Sequence, residues 1–341
     1  MLSAVILAAF SGCAKEQIWS SGSASVTAKG GKADAALFAM DTYMGITVYS
    51  ESAFELAVSA CERIGELETI FDAGSPESEV ALLNAHGTYE VGSEIIDQIE
   101  AAAIVKARSR GAFDLTVGAL VELWGFGQEP KVPTEEELAK TAALCGDIVI
   151  NGSTVTVPEG AMLNLGASAK GYTSNELAEY LRANGVESAL ISLGGNIQVV
   201  GTKPDGSLWR VGVQDPRNEN ANLGVLSVKD MAVVTSGDYQ RYFIEDGVRY
   251  CHVLDPRTGK SVDNGVCSVT VMCENGLLAD CLSTAMMVLG REAALEYWSV
   301  WGGFEMLIVT SDETITMTPG FSSAFSPGEN LSYTVEVFNE D

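Results

Sequence analysis

The segment at residues 277–289 limits the fold more than any other part of the chain. Its sequence, LLADCLSTAMMVL, places apolar side chains on almost every face of a helix, and such a helix must be buried. Asp280, Ser283 and Thr284 are the polar exceptions, and their i, i+3 and i+4 spacing puts them on one face. A buried carboxylate with two hydroxyls needs partners. Those partners are either a hard cation such as Mg²⁺, which takes oxygen ligands, or neighbouring backbone groups, and the helix alone does not decide between them.

A loop of small residues carries a lysine at residues 164–172, with the sequence NLGASAKGY. It follows an apolar, β-like run and leads into a helical pattern that Gly185 ends, so it lies at a strand-to-helix junction. Small residues let the backbone approach a ligand closely, a helix N-terminus favours an anion, and Lys170 adds a positive charge. A phosphate-bearing ligand is one interpretation. An ordinary turn with a surface lysine is the other, and the segment alone favours the turn.

Two more segments carry groups suited to catalysis or ligand binding. Residues 250–259, YCHVLDPRTG, place His252 at a strand end before a turn, where it can serve as a general base or as a structural residue. Residues 233–239, VVTSGDY, end a strand with hydroxyls and a carboxylate, which taken alone predict a capped turn. We assign no function to His86, the only other histidine.

The net charge of −26 restricts the partners of this chain. Nucleic acid is excluded as a partner, because phosphate backbones require a basic surface. A phosphate ligand would also be repelled unless a metal cation or local positive groups intervene. The hydrophobic content of 47% indicates a folded chain with a large core.

The N-terminal residues 1–12 form a short apolar run that cannot span a bilayer and that ends before Cys13. This pattern is typical of a bacterial lipoprotein signal, whose cleavage leaves a lipid-modified Cys13; a plain secretory signal and a chance apolar N-terminus are the alternatives. Residues 13–35, rich in Ser, Gly, Ala and Lys, are predicted to be a tether. We therefore expect a membrane-anchored lipoprotein of the cell envelope that faces outside the cytoplasm, on the periplasmic or extracellular side.

The six remaining cysteines include no CxxC pair and no spacing typical of a zinc site. Export permits disulfides, but most of these cysteines lie within apolar runs, where cysteine behaves as a small hydrophobic residue. We expect mostly free, buried thiols.

The rest of the chain alternates between helical patterns and short strands joined by tight turns. Thr134 and Glu137 form a capping-box pattern at a helix start, and Asn151-Gly152 predicts a type I′ hairpin. Because hairpins are mixed with helices without regular βαβ alternation, we predict an α+β fold with mixed, largely antiparallel β-sheets flanked by helices. Residues 36–341 are expected to form a single compact catalytic unit.

The order and spacing of these segments resemble the FAD:protein FMN transferase family, the ApbE-like flavin transferases. The resemblance covers about residues 40–318. The motifs that carry it are MG at 44–45, FDAGSPESEVALLN at 71–84, GAFDLT at 111–116, AKGY at 169–172, SLGGN at 192–196, WRVGVQDP at 209–216, VTSGDY at 234–239, HVLDPRTG at 252–259 and ADCLST at 279–284. Each motif is weak alone, whereas their combined order and spacing are specific.

The resemblance implies a site in which FAD and Mg²⁺ are held together. The FAD-binding residues that it implies are Met44, Ala112, Phe113, Asp114, Asn164, Lys170 and Leu254. The Mg²⁺ ligands that it implies are the carbonyl oxygen of Ala167 with Asp280 and Thr284, assisted by Ser283. His252 would lie beside the reacting phosphate, and we assign it, together with Lys170, to catalysis.

The implied reaction is an Mg²⁺-dependent transfer of FMN from FAD to a threonine or serine hydroxyl of an acceptor flavoprotein, with release of AMP. Mg²⁺ and Lys170 would neutralise charge on the pyrophosphate, and His252 would accept the hydroxyl proton. Two alternatives stay open. One is hydrolysis of FAD to FMN and AMP, and the other is FAD binding without catalysis.

Three positions depart from the family's usual pattern. Asn164 and Asn175 stand where the family usually has aspartates, and Ile46 stands where it usually has a threonine after Met-Gly. Asn164 can still hydrogen-bond a ribityl or ribose hydroxyl, but it carries no charge. We expect these changes to affect affinity or activity and not the fold.

Overall fold

A twelve-stranded sheet forms the centre of the computed structural model, which describes residues 7–8, 16–126, 128–329 and 331–339. The strands are β1 (Leu7–Ala8), β2 (Gln17–Ser21), β3 (Ala24–Lys29), β4 (Lys32–Ala39), β5 (Thr42–Tyr49), β6 (Thr88–Glu90), β7 (Val149–Asn151), β8 (Thr154–Thr156), β9 (Ser188–Leu193), β10 (Asn196–Gly201), β11 (Trp209–Asp215), β12 (Asn218–Val228), β13 (Ala232–Gly237), β14 (Tyr242–Glu245), β15 (Val248–Cys251), β16 (Val266–Cys273), β17 (Glu305–Thr310), β18 (Thr314–Met317), β19 (Phe325–Pro327) and β20 (Thr334–Val337).

The large sheet has the order β1-β2-β3-β4-β5-β9-β10-β13-β16-β17-β18-β20. Its neighbouring strands are antiparallel, except for the parallel pair β18 and β20. Three small sheets have the orders β11-β12-β19, β14-β15 and β6-β8-β7. The last of these contains a hairpin at the predicted place, with Gly152 and Ser153 as its two loop residues. The predicted type I′ turn is wrong, because that turn needs a positive φ at both loop residues and Gly152 has one whereas Ser153 does not.

Some helices pack directly on the large sheet, and the others pack on helices or on a small sheet. The helices are α1 (Ala53–Phe71), α2 (Glu79–His86), α3 (Ser93–Arg108), α4 (Gly118–Trp124), α5 (Glu135–Ala142), α6 (Ala169–Ala183), α7 (Gly276–Leu289), α8 (Arg291–Trp301) and α9 (Pro319–Ala324). The capping box predicted for Thr134 and Glu137 is present at the start of α5. The predicted α+β fold, with largely antiparallel sheets and flanking helices, is confirmed.

Helix α7 is buried, as its sequence predicts. It packs on strands β13 and β16 of the large sheet and against helices α3 and α6. Every residue of β16 is buried, so the helix covers a strand that is enclosed along its whole length. The side chain of Asn275 accepts a hydrogen bond from Leu278 N at 2.9 Å and caps the helix.

Two glycines let α6 and α7 cross at short distance. A Cβ atom at Gly171 would overlap the carbonyl oxygen of Gly276 and would lie 2.5 Å from Cβ of Asp280. A Cβ atom at Gly276 would lie 2.9 Å from the carbonyl oxygen of Gly171. Neither position has room for a side chain. The crossing therefore places Asp280 of α7 against the first turn of α6.

The prediction of a tether over residues 13–35 is wrong for its described part. Residues 17–35 belong to β2, β3 and β4, and these strands extend the large sheet. The side chains of Val26, Ala28, Ala33 and Ala35 alternate into the core, and α1 packs over them. Small residues gave this segment the composition of a linker and concealed the alternation. The predicted start of the domain at residue 36 therefore moves toward the N-terminus.

Cys13 lies outside the described residues, so its lipidation stays a prediction. Of the predicted signal segment 1–12 only β1 is described, and it forms an edge strand beside β2. None of the helices in the described ranges is both long and apolar enough to cross a membrane. The six other cysteines are free thiols, and all except the half-buried Cys145 are buried, which confirms the prediction for them.

Substitution of Gly171 tests the close crossing of α6 and α7. We expect Gly171→Ala to lower the free energy of unfolding by about 1–3 kcal/mol, because the new methyl group overlaps α7. Gly65→Ala, in the exposed interior of α1, is the matched control because its Cβ meets open space. It should stabilise the protein by up to about 1 kcal/mol. Urea unfolding measures both variants, and equal stability of the two would contradict the crossing.

Candidate active site

Asp280 and the first turn of α6 form the centre of the candidate site. The Asp280 side chain is only 5% exposed, and its Oδ2 accepts a hydrogen bond from the backbone N–H of Gly171 at 2.8 Å. Burial raises the pKa of Asp280, while the charge of Lys170 and the Gly171 N–H act in the opposite direction. A helix N-terminus thus compensates part of the cost of burying this carboxylate.

The carbonyl oxygen of Ala167 is left free by this hydrogen bond. If α6 continued regularly toward its N-terminus, the Gly171 N–H would donate to the oxygen of the residue four positions earlier, Ala167. It donates to Asp280 instead, and within the described ranges no other backbone N–H donates to the Ala167 oxygen. A free carbonyl oxygen and a buried carboxylate are therefore both available at the start of α6.

Hydroxyl groups of α7 meet a hydroxyl from strand β13. Ser236 Oγ lies 2.8 Å from Ser283 Oγ and 3.2 Å from Thr284 Oγ1. Ser283 Oγ also donates to the carbonyl oxygen of Asp280 at 2.9 Å. Ser283 is thus well satisfied within the protein, whereas Thr284 has only the longer contact among the residues that the structure describes. Of the two, Thr284 has the hydroxyl better suited to bind an external group.

Lys170 lies in the first turn of α6 and makes no ion pair with any carboxylate in the described part of the chain. Its charge nevertheless lowers the pKa of both Asp280 and His252, so it lies within electrostatic range of both. An unpaired lysine in a chain of net charge −26 is available to an anionic ligand.

His252 follows β15 and is held as a neutral ring. Its Nδ1 lies 3.2 Å from the carbonyl oxygen of Arg241, which can only accept, so Nδ1 carries the proton and Nε2 has the free lone pair. Burial, and then the charges of Arg241 and Lys170, lower the pKa of His252 to about 4. At neutral pH the ring can therefore accept a proton at Nε2.

Strand register gathers three motifs at one end of the large sheet. Met44 on β5 is paired with Leu193 on β9, Leu193 with Asn196 on β10, and Asn196 with Val234 on β13. Asn196 also accepts a hydrogen bond at 3.1 Å from Ser174 on α6. The predicted residue Met44 and the SLGGN and VTSGDY motifs therefore lie in one row.

The two asparagines that replace the family's usual aspartates make specific contacts. Asn164 Oδ1 accepts from Gly166 N at 2.9 Å and shapes the loop before α6. Asn175 Oδ1 accepts from Gly276 N at 3.2 Å, so it joins α6 to the N-terminus of α7. Both contacts use a side-chain oxygen, which asparagine and aspartate have in common.

The GAFDLT turn lies beside the loop at 164–172, because Asn164 N donates to Leu115 O at 2.7 Å. Asp114 accepts from Thr116 N and Oγ1 and pairs with Lys106 Nζ at 2.8 Å, which gives it a structural function. With Lys106, Arg257 and other residues it lines a cavity of about 410 Å³.

The predicted apolar FAD residues are buried in separate clusters. Met44 packs in the cluster under β4, β5 and α1, and Ala112 and Phe113 belong to the large cluster around α7. Leu254 packs against Trp124 and its neighbours on α4 and α5. The structure therefore brings together Ala167, Lys170, Asp280, Ser283 and Thr284. His252 lies within electrostatic range of Lys170. Leu254 is linked to this group by its position two residues after His252 in the chain.

Two groups of this site were not predicted from the sequence. Ser236 was noted within VTSGDY but given no role, although a hydroxyl at a strand end next to a buried polar helix was a usable signal. The Arg241 carbonyl, which orients His252, had no signal, since any residue supplies a carbonyl.

The comparisons with known proteins agree on one family. A family model described as the ApbE family matches residues 40–308. The FAD:protein FMN transferase of Vibrio cholerae serotype O1 is 35% identical over 266 residues, which cover 74% of this chain and 78% of that protein. The FAD:protein FMN transferase of Treponema pallidum is 32% identical over 306 residues, covering 82% and 84%. The crystal structure of the ApbE protein of Thermotoga maritima has a TM-score of 0.80 at 32% identity, covering 86% of this chain and 99% of that one.

The lowered pKa of His252 predicts a pH dependence of stability. Between about pH 6.5 and pH 4 the unfolded chain binds a proton at this histidine and the folded chain does not, so stability is lost as pH falls through this range. We expect His252→Gln to lose less stability than the unchanged protein over that range in denaturant titrations. His86→Gln is the matched control, and an identical pH dependence for both variants would contradict the lowered pKa of His252 in the folded protein.

Proposed function

This chain is a member of the ApbE family of flavin transferases, and we propose that it moves FMN from FAD to a threonine or serine hydroxyl of an acceptor flavoprotein, releasing AMP in an Mg²⁺-dependent reaction. The arrangement at the start of α6 carries the proposal. It combines the buried Asp280 carboxylate with the Ala167 carbonyl and Lys170, which have no hydrogen-bond donor and no ion-pair partner, respectively, within the described ranges. These groups supply ligands for a hard cation beside a positive charge for a pyrophosphate.

Asp280, the Ala167 carbonyl and the Thr284 hydroxyl would hold the Mg²⁺, with Ser283 supporting the set through its bond to the Asp280 carbonyl. All of these donors are oxygen atoms and only one is charged, which suits a small hard cation that keeps substrate or water oxygens in its shell. When bound, Mg²⁺ would neutralise charge on the pyrophosphate and on the departing AMP.

His252 and Lys170 would serve the transfer itself. The acceptor hydroxyl oxygen forms a bond to the FMN-side phosphorus while the bond from that phosphorus to the AMP-side oxygen breaks. His252 Nε2 accepts the hydroxyl proton, because Nδ1–H already donates to Arg241 O and Nε2 has the free lone pair. Lys170 holds the phosphate charge near His252 and Asp280.

An assay with FAD, Mg²⁺ and an acceptor domain that carries a flavinylation threonine tests this function. We expect a fluorescent covalent adduct and one AMP for each FMN transferred. Free FMN and AMP without adduct would establish hydrolysis instead. Bound FAD without either product would establish a binding protein, and either of these two results would contradict the proposal.

The variant Asp280→Asn tests the metal assignment. It keeps a side-chain oxygen for the Gly171 N–H but removes the charge, so we expect at least about a 100-fold loss of transfer. The thermal shift produced by Mg²⁺ with FAD should also disappear. Asp263→Asn is the matched control, since Asp263 lines a different cavity with Arg217 and Arg249. Full transfer by Asp280→Asn would remove Asp280 from the metal site.

We also propose that the protein is held at the cell envelope, outside the cytoplasm, by a lipid on Cys13. The support is the short apolar run that ends before this cysteine. The variant Cys13→Ser should move the protein from the membrane fraction to the soluble fraction, and Cys61→Ser, at a buried thiol, should not. Unchanged membrane association of Cys13→Ser would contradict the anchor.

A further inference from the structure

The hairpin of β14 and β15 leads directly into His252 and is anchored through one face. Phe243 and Tyr250 are cross-strand partners with ring centroids 5.3 Å apart. Both also contact Trp124 of α4, at 6.2 and 5.5 Å between centroids, and Phe243 lies 5.6 Å from Phe126. This aromatic cluster fixes the hairpin to the domain, so its opposite face has a defined position.

The opposite face presents apolar and cationic side chains to solvent. Side chains alternate along each strand, so Tyr242, Ile244 and the cross-strand partner Arg249 share this face. Tyr242 is 45% exposed and Ile244 is 62% exposed. The guanidinium of Arg249 lies 4.2 Å from the centroid of the Tyr242 ring. Tyrosine and arginine are the residues that contribute most often to binding energy in protein interfaces.

The turn between β4 and β5 adds a second exposed aromatic pair next to this hairpin. Phe38 and Tyr43 are 46% and 82% exposed and meet edge to face at 5.1 Å. Asp41 in the same turn lies 3.9 Å from Arg241, the residue whose carbonyl oxygen orients His252. Two neighbouring turns therefore bring exposed apolar side chains close to the backbone that holds His252.

We propose that the surface formed by Phe38, Tyr43, Arg241, Tyr242 and Ile244, here called the docking face, binds the acceptor flavoprotein. The segment that binds here is the one that carries the acceptor hydroxyl. Its binding holds that hydroxyl beside His252. The proposal rests on the proposed function, because only a group transfer to protein requires a macromolecular partner at this position.

The charges around the docking face are paired within the chain. Arg241 lies 3.9 Å from Asp41, and Arg249 lies 3.7 Å from Asp238. The turn of the hairpin, residues 245–246, is acidic. The face therefore fits a segment with apolar or aromatic side chains near the acceptor hydroxyl. An anionic membrane surface fits less well, because the rest of the chain repels it.

The test compares substitutions on the docking face with a substitution at an exposed site elsewhere on the protein. Ile244→Asp and Tyr43→Ser change the two hairpins of the docking face, and Val300→Asp is the matched control on α8, where Val300 is 63% exposed. The probe is an acceptor domain that the unchanged protein flavinylates. We expect Ile244→Asp to raise the KM for this domain at least about tenfold, and Tyr43→Ser to raise it several-fold. The kcat and the Kd for FAD should stay within twofold in both, and Val300→Asp should change nothing.

Each other outcome overturns a distinct claim. An unchanged KM in both Ile244→Asp and Tyr43→Ser would overturn the docking face and leave the proposed function intact. Absence of adduct with the unchanged protein would overturn the proposed function, and the docking face with it. Loss of binding to vesicles of phosphatidylcholine and phosphatidylglycerol by Ile244→Asp, with the acceptor KM unchanged, would identify the face as a membrane surface and overturn the proposal.

Discussion

The hydrogen bond from the Gly171 N–H to the Asp280 carboxylate is the interaction on which the candidate site depends. It exists only because Gly171 and Gly276 let α6 and α7 cross without side chains between them. The same bond makes burial of the carboxylate tolerable and takes the N–H away from the Ala167 carbonyl. The close helix crossing makes this bond possible, and the bond in turn stabilises the buried carboxylate and leaves the Ala167 oxygen free.

The periodicity of the chain predicts the helices and strands that carry the site, but it does not predict which of them contact each other. The apolar pattern at 277–289 predicts a buried helix, and the i, i+3, i+4 spacing places Asp280 and Thr284 on one of its faces, as observed. The contact of Ser236 with that face depends on strand register across the large sheet, which no local pattern determines. The orientation of His252 depends on a backbone carbonyl, for which sequence carries no signal.

For two segments, amino-acid composition alone is a poor guide to what the residues do in the fold. The small residues of the loop at 164–172 indicate close approach of backbone to a ligand, but Gly171 is required by the crossing with α7. Residues 17–35 have the composition of a linker, yet every second side chain of β3 and β4 is small or apolar and faces the core. Gly30 and Gly31, both with positive φ, form the turn between these strands.

If Cys13 carries the proposed lipid, the early start of the sheet would limit how far the catalytic domain can move from a membrane. Because β2 begins at Gln17, lipidation of Cys13 would leave residues 14–16 as the only connection between the lipid and the sheet. Three residues of extended chain reach about 10 Å, so the start of β2 would stay within about that distance of the lipid. The enzyme would then search for acceptors within a thin layer at the bilayer surface, and a partner whose hydroxyl lies far above that layer would stay out of reach.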